Sequence, residues 1–312
     1  MEERQRTLSG PPESIHPGSA IAGKYVLESM LGSGAMGTVW IATHVNLGSK
    51  VAVKLVSPDF ARSEEARSRF LAEAKAAAAL RSRYVVQMFD SGVTDGAPYI
   101  VMEYLKGESL EERLQRAGRL PIEQVLRMVG QVAKGLERAH SKNIVHRDLK
   151  PANIFLASTE DGEEVAKILD FGIAKMDHDD HDYKATATGV IMGTPLYMSP
   201  EQARGLKSLD HTSDLYSLGM VTYTALVGDV PFHAESFGDL VYILCTQDIP
   251  RTQEVAPWLP PTLDAWFRQA CHKDPTQRFK SADEMYQALA LASQVTGSRL
   301  PNSALQDSTL AV

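Results

Sequence analysis

LGSGAMGTVWIATHV, residues 31–45, carries three glycines that lead into a strand and not into a helix. Gly32, Gly34 and Gly37 have the GxGxxG spacing, in which missing side chains let backbone N–H groups approach an anion closely. A dinucleotide-binding unit sets such glycines between a strand and a helix. Here TVWIATHV continues as a second strand, so the stretch predicts a glycine hairpin and excludes a nicotinamide site. A second glycine pattern, GSAIAGKY at 18–25, spaces Gly18, Gly23 and Lys24 like a P-loop. Tyr25 stands where the magnesium-holding hydroxyl belongs and no strand precedes it, so that reading is set aside.

Working outward, the segments YVLESML, KVAVKLV, VVQMFDSGV and APYIVMEYL read as further short strands up to Leu105. One helix interrupts them at about Ser63–Leu80, where Phe70, Ala74, Ala77 and Leu80 recur at helical spacing. Beyond Leu105 the period changes. Leu110 with Leu114, then Ile122, Val125, Leu126, Val129, Val132 and Leu136, trace amphipathic helices, the second starting after Pro121. More helices are expected near 213–227, 235–246, 262–272 and 281–293. The pattern predicts an α+β fold of two lobes with a cleft between them. The small β-rich N-lobe spans 22–104 and carries one helix; the hinge and larger helical C-lobe span 103–293. Residues 1–21 and 294–312, rich in small and polar residues, are expected to be flexible tails.

Composition narrows the function. In 312 residues the formal net charge is -7, which argues against nucleic acid or anionic lipid as the main partner. Two cysteines, Cys245 and Cys271, without metal-ligand spacing suggest neither a disulfide framework nor zinc. No run of eighteen apolar residues and no secretory leader is present, which leads to the expectation of a cytoplasmic chain or the cytoplasmic part of a longer anchored one.

VHRDLKPANIF, residues 145–155, presses charged residues between apolar ends, although such residues are rarely buried unless paired. An aspartate beside a substrate hydroxyl can orient it and accept its proton, a nearby lysine can neutralise a phosphoryl group in flight, and an asparagine can ligate a metal. Asp148, Lys150 and Asn153 fit these roles, and Asp170, after a short apolar strand in KILDFGIAK, fits magnesium. Lys54 in VAVKLV points where apolar residues otherwise pack, and Glu73 on the Ala-rich helix is its expected partner. MDHDDHDY, residues 176–183, gathers His178, Asp179, His181 and Asp182, which reads as a solvated charge run ahead of a metal site.

The ordered set LGSGAMGTV, VAVK, Glu73, HRDLKPAN, DFG and GTPLYMSPE resembles the eukaryotic-like serine/threonine protein kinases, and in wording it is most similar to bacterial members, over about residues 25–290. The resemblance implies a protein kinase that uses ATP with magnesium, or manganese in its place. It implies that Gly32, Gly34 and Gly37 cover the phosphates. Val39 and Ala52 would form the roof over adenine and Phe155 its floor. Met102 would be the gatekeeper, with the Glu103 carbonyl and Leu105 N–H reading the adenine edge. Lys54 would hold phosphates and pair with Glu73, Asp148 would be the catalytic base, and Asn153 and Asp170 would bind the metal. Asp170 to Glu201 would form an activation segment with Thr186 and Thr188 as autophosphorylation sites and Arg147 and Lys175 as phosphate contacts. Thr194 would bond the catalytic base and Lys150. His146, Phe171, Glu201, Asp214 and Arg278 would be structural, with Glu201 and Arg278 a buried pair. Partners implied are protein substrates with Ser/Thr acceptors and a transient homodimer for trans-autophosphorylation. A catalytically silent scaffold finds no support, since every motif residue with a chemical role is present. A small-molecule phosphotransferase is disfavoured by the complete GTPLYMSPE segment.

Overall fold

The strand-forming sequence before residue 105 builds one antiparallel sheet in the order β1-β2-β3-β4-β6-β5, with β1 at Ala20–Ile21, β2 at Tyr25–Gly34, β3 at Gly37–His44, β4 at Lys50–Val56, β5 at Met88–Thr94 and β6 at Ala97–Glu103. The computed structural model describes residues 15–34, 37–57, 71, 74–94, 96–171, 194–206 and 208–293. Alternation sorts the sheet into two faces. Trp40, Val53 and Val101 lie in register and, with Leu27, Leu55 and Tyr99, form a closed cluster on one side. On the other, Val39, Lys54 and Ile100 make one row and Ile41, Ala52 and Met102 the next. Ala52, Ile100 and Met102 join the larger core that continues into the helical lobe. Lys54 thus sits on the face turned toward the second lobe.

Two boundaries differ from expectation. The tail boundary placed after residue 21 falls inside the sheet, because Ala20 pairs with Val26 and Ile21 with Tyr25, which buries Ile21. Strand β5 begins at Met88 and not at Val85, because residues 84–86 bond to another strand: Val86 N–H donates to the Ile168 carbonyl and Ile168 N–H to that of Tyr84, both at 2.9 Å. Of the helix expected at 63–80, residues 74–78 are helical and bury Ala74 and Ala77; residues 58–70, 72 and 73 lie outside the described residues, as do 294–312.

The second lobe is organised by helices α1 (Leu110–Ala117) and α2 (Ile122–His140). The first is closed by a capping box in which Ser109 and Glu112 satisfy each other's backbone N–H groups. The second buries Val125, Val129, Val132 and Leu136 along one stripe. A three-stranded sheet, of which only the strand before Asp170 was expected, lies beside them in the order β7-β8-β9, with β7 at Gly107–Ser109, β8 at Ile154–Ser158 and β9 at Glu164–Ile168. After a short α3 (Pro200–Ala203), helix α4 (Thr212–Val227) is buried on all sides through Leu226, so it forms the axis of the lobe. Helices α5 (Phe237–Thr246), α6 (Thr252–Val255), α7 (Leu263–Ala270) and α8 (Ala282–Ala292) complete it. No helix among the described residues is long and apolar enough to cross a membrane.

One buried ion pair ties this lobe together. Arg278, on the loop before α8, meets Glu201 in bidentate fashion at 2.6 and 2.8 Å, and its remaining N–H groups reach the Thr212 and His272 carbonyls. Ser213 Oγ–H donates to the same carboxylate at 2.8 Å. Burial pushes the Glu201 carboxyl up, but the Arg278 bonds and charge outweigh it and hold it below its ordinary value.

Glu201→Ala is expected to lower the unfolding free energy by about 3–5 kcal/mol in urea titrations, since it strands a buried guanidinium, whereas Glu201→Leu with Arg278→Met together costs less. Because the folded pKa is depressed, the contribution of Glu201 is full above the ordinary glutamate range near about pH 4 and is lost as the pH falls through the lower folded value. Glu201→Gln should therefore lack that part of the wild type's acid destabilisation.

Candidate active site

The charged stretch VHRDLKPANIF is held by one carboxylate. Asp214, in the first turn of α4 and 1% exposed, accepts the His146 N–H at 2.8 Å and the Arg147 N–H at 2.9 Å. Arg147 has φ 63, a left-handed conformation that a residue with a Cβ enters at a cost of roughly 1–2 kcal/mol. Its other backbone group is also fixed, as Gln202 Nε2 donates to the Arg147 carbonyl at 2.7 Å. Asp214 takes a third bond, from His140 Nε2 at 2.8 Å, so the end of α2 is tied to the same group.

His146 is fully buried, edge-on to Phe171 with ring centroids 4.8 Å apart. Its Nε2 lies 2.7 Å from the Leu169 carbonyl, which can only accept, and its Nδ1 lies 3.2 Å from the Asp148 N–H, which can only donate. These partners assign the Nε2–H tautomer and join the strand end before Asp170 to the backbone of Asp148. The Asp148 carboxylate receives Lys150 Nζ at 3.0 Å and Asn153 Nδ2 at 3.1 Å; the same Nδ2 reaches the Asp148 carbonyl at 2.8 Å.

Asp170, with φ 45, places Oδ2 2.7 Å from Lys54 Nζ, which bridges the first sheet to the second lobe. Both Nδ2 contacts of Asn153 leave its amide oxygen as the ligating atom, and with the half-exposed Asp170 carboxylate it offers two hard oxygen donors. Such a pair fits magnesium, which takes one or two protein oxygens and fills its other positions with water and phosphate.

The glycine hairpin joins β2 to β3, where Val39 pairs with Lys54. Gly34 pairs with Gly37 and Gly32 with Val39. A Cβ at Gly37 would fall 1.9 Å from the Leu55 carbonyl, and its φ of 136° is itself reserved for glycine, so that position serves packing on β4. Gly32 and Gly34 face open space, which leaves their backbone accessible to a ligand. Val39, Ala52 and Met102 lie on the sheet face above, and half-buried Phe155 lies on β8 below. At the linker between lobes, the Leu105 N–H has no protein partner among the described residues, while the Glu103 side chain meets Lys167 Nζ at 2.7 Å. The sequence reading missed Lys167; its place in a strand flanked by apolar residues was the available signal.

Glu73, Lys175, Thr186 and Thr188 and the MDHDDHDY stretch lie outside the described residues, as does the side chain of Thr194, whose backbone starts a 3-10 turn at Thr194–Tyr197. Lys54 therefore has Asp170 as its described partner.

Comparison with known proteins agrees with this geometry. Residues 25–289 match the family model described as protein kinase domain. The chain is 37% identical over 277 residues to the serine/threonine-protein kinase pkn3 of Myxococcus xanthus, covering 88% of this chain and 50% of that protein. It is 38% identical over 290 residues to the serine/threonine-protein kinase PknA of Corynebacterium glutamicum, covering 90% and 58%. The chain thus spans about half the length of these curated relatives. Among solved structures it is similar to the PknI kinase domain of Mycobacterium tuberculosis, with TM-score 0.73, 28% identity, and coverage of 90% of this chain and all (100%) of that one.

If Asp214 holds the left-handed backbone, Asp214→Asn should release it, because an amide puts N–H₂ against a backbone donor. Amide exchange at His146 and Arg147 should accelerate, and unfolding free energy should fall by about 1–3 kcal/mol or more. Unchanged protection at both amides would count against this role.

Proposed function

The chain belongs to the protein kinase family, and we propose that it transfers the γ-phosphoryl group of ATP to serine or threonine hydroxyls of proteins in bacterial signalling. The observation that carries this reading is the convergence of Asp148, Lys150 and Asn153 from one loop with the Lys54–Asp170 pair, beneath a glycine hairpin.

Phosphoryl transfer asks a protein for positioning and charge stabilisation. Adenine enters between Val39 and Ala52 above and Phe155 below, beside Met102, with its edge against the Glu103 carbonyl and the Leu105 N–H. The backbone at Gly32 and Gly34 covers the phosphates and Lys54 holds them. Asn153 and Asp170 would hold a magnesium ion, which would offset the negative charge of the phosphates. Asp148 orients the acceptor hydroxyl and takes its proton, and its own carboxylate is oriented by Asn153 and Lys150. Lys150 stands beside that carboxylate with its charge toward the transferring group. Thr194, from the activation segment, is proposed to bond the base and Lys150, and Glu73 to pair with Lys54.

Activation proceeds by autophosphorylation at Thr186 or Thr188 within a transient homodimer. Among the described residues the buried Nε of Arg147 has no hydrogen-bond partner, which supports its role, with Lys175, in receiving that phosphate. We place this action in the cytoplasm, on protein substrates and not nucleic acid.

With magnesium, ATP and a protein acceptor, wild type should yield phosphoserine or phosphothreonine by mass spectrometry, including Thr186 or Thr188. Asp148→Ala should reduce the rate by roughly 10²–10⁴ while nucleotide affinity stays within a few-fold. Nucleotide binding without phosphate on any protein would contradict the kinase reading in favour of a scaffold.

A further inference from the structure

We infer that Lys167 is a positioning residue for the nucleotide: its ion pair with Glu103 fixes the spacing between the linker backbone that reads adenine and the strand that delivers Asp170. The inference rests on the kinase reading above and adds to it Lys167, the first residue of KILDFGIAK, to which the sequence alone assigns no role.

The side-chain alternation of β9 isolates Lys167. Ala166 and Ile168 pair with Leu156 and Ile154 on the core side, whereas Lys167 pairs with Phe155 and shares its face. A lysine on a strand ordinarily carries its ammonium to water along an extended stem. This one turns inward, its side chain 15% exposed, and donates to Glu103 Oε1 at 2.7 Å. The same oxygen accepts the Gln87 N–H at 2.8 Å, and the Glu103 N–H returns a bond to the Gln87 carbonyl at 2.9 Å. Gln87 follows directly on residues 84–86, which are bonded to β9 through Ile168.

These bonds close a circuit. It runs from the end of β6 at Glu103 to Gln87, along residues 84–87 to Ile168, one residue back to Lys167, and across the ion pair to Glu103 again. Asp170 lies two residues beyond Ile168, and the intervening Leu169 N–H is held by the Asn153 carbonyl at 2.9 Å. The circuit therefore joins the adenine end of the cleft to both oxygen donors of the metal end. Without Lys167, Glu103 would keep a half-buried carboxylate answered by one backbone N–H, and the two ends would lose their shared anchor.

A ligand that spans both ends should feel the loss more than one that occupies the adenine end alone. Calorimetry with the 312-residue chain compares magnesium–ATP with adenosine. Lys167→Met is expected to weaken magnesium–ATP by about tenfold, roughly 1.4 kcal/mol, and adenosine by less than about twofold. Lys167→Arg, which keeps charge and reach, should restore magnesium–ATP affinity to within about twofold of wild type. Should Lys167→Met fail to fold, Glu103→Gln reads the same pair and is expected to give the same split. Equal weakening of both ligands would mark a merely structural residue and overturn the inference, as would unchanged magnesium–ATP affinity. Wild type that binds no magnesium–ATP would overturn the kinase reading and this inference with it; wild-type binding that Lys167→Met leaves unaltered overturns the inference alone.

Discussion

A single buried carboxylate carries the arrangement of the cleft. Asp214 is almost wholly removed from water and accepts three N–H groups, two from the backbone of the loop and one from the last residue of α2. A charge so placed is tolerable only when fully hydrogen-bonded. The requirement acts in both directions, because it fixes Arg147 in a conformation the chain would otherwise avoid. From that fixed backbone, His146 turns its ring to the Leu169 carbonyl and Asp148 turns its carboxylate to Lys150 and Asn153. Helix α4 supplies the rigidity, since its buried surroundings leave Asp214 no room to adjust.

Among the described residues, lysine-carboxylate pairs link the two lobes. Lys54 to Asp170 spans 116 positions in sequence and sets the first sheet against the loop after β9. Glu103 to Lys167 spans 64 and sets the linker against β9 itself. Both lysines sit on strands whose neighbouring side chains are buried, so each ammonium is desolvated on one side and held by its carboxylate on the other. The lower lobe is tied separately by Glu201 and Arg278, 77 positions apart. Positioning of this kind lets a cleft act by orientation and charge with no covalent step.

What the sequence disclosed follows from the range over which each signal acts. The hairpin at 31–45 and the helical stripes of α1 and α2 were legible because glycine placement and apolar periodicity are local. That Asp148, Lys150 and Asn153 meet was legible because they lie within six residues of one another. Partner choice across the chain was hidden. Lys167 could be seen as a lysine among apolar residues, but nothing local pointed to Glu103. Of the sheet β7-β8-β9 only the strand before Asp170 was legible, because β7 has just three residues and β8 begins directly after the motif residue Asn153, and β5 was begun early because Val85 and Val86 have strand composition yet pair with Ile168. The brief pairing of Ala20–Ile21 with β2 was masked by the glycines on either side.

The central claim is that nucleotide and metal occupy the space framed by the glycine hairpin, the 103–105 linker and the Asn153–Asp170 pair. It is tested most directly by a crystal structure of the chain with magnesium and a nonhydrolysable ATP analogue. The account predicts adenine against the Glu103 carbonyl and Leu105 N–H, phosphates beside Lys54, and the ion on Asn153 and Asp170. A nucleotide bound elsewhere, or an ion that touches neither residue, would contradict it.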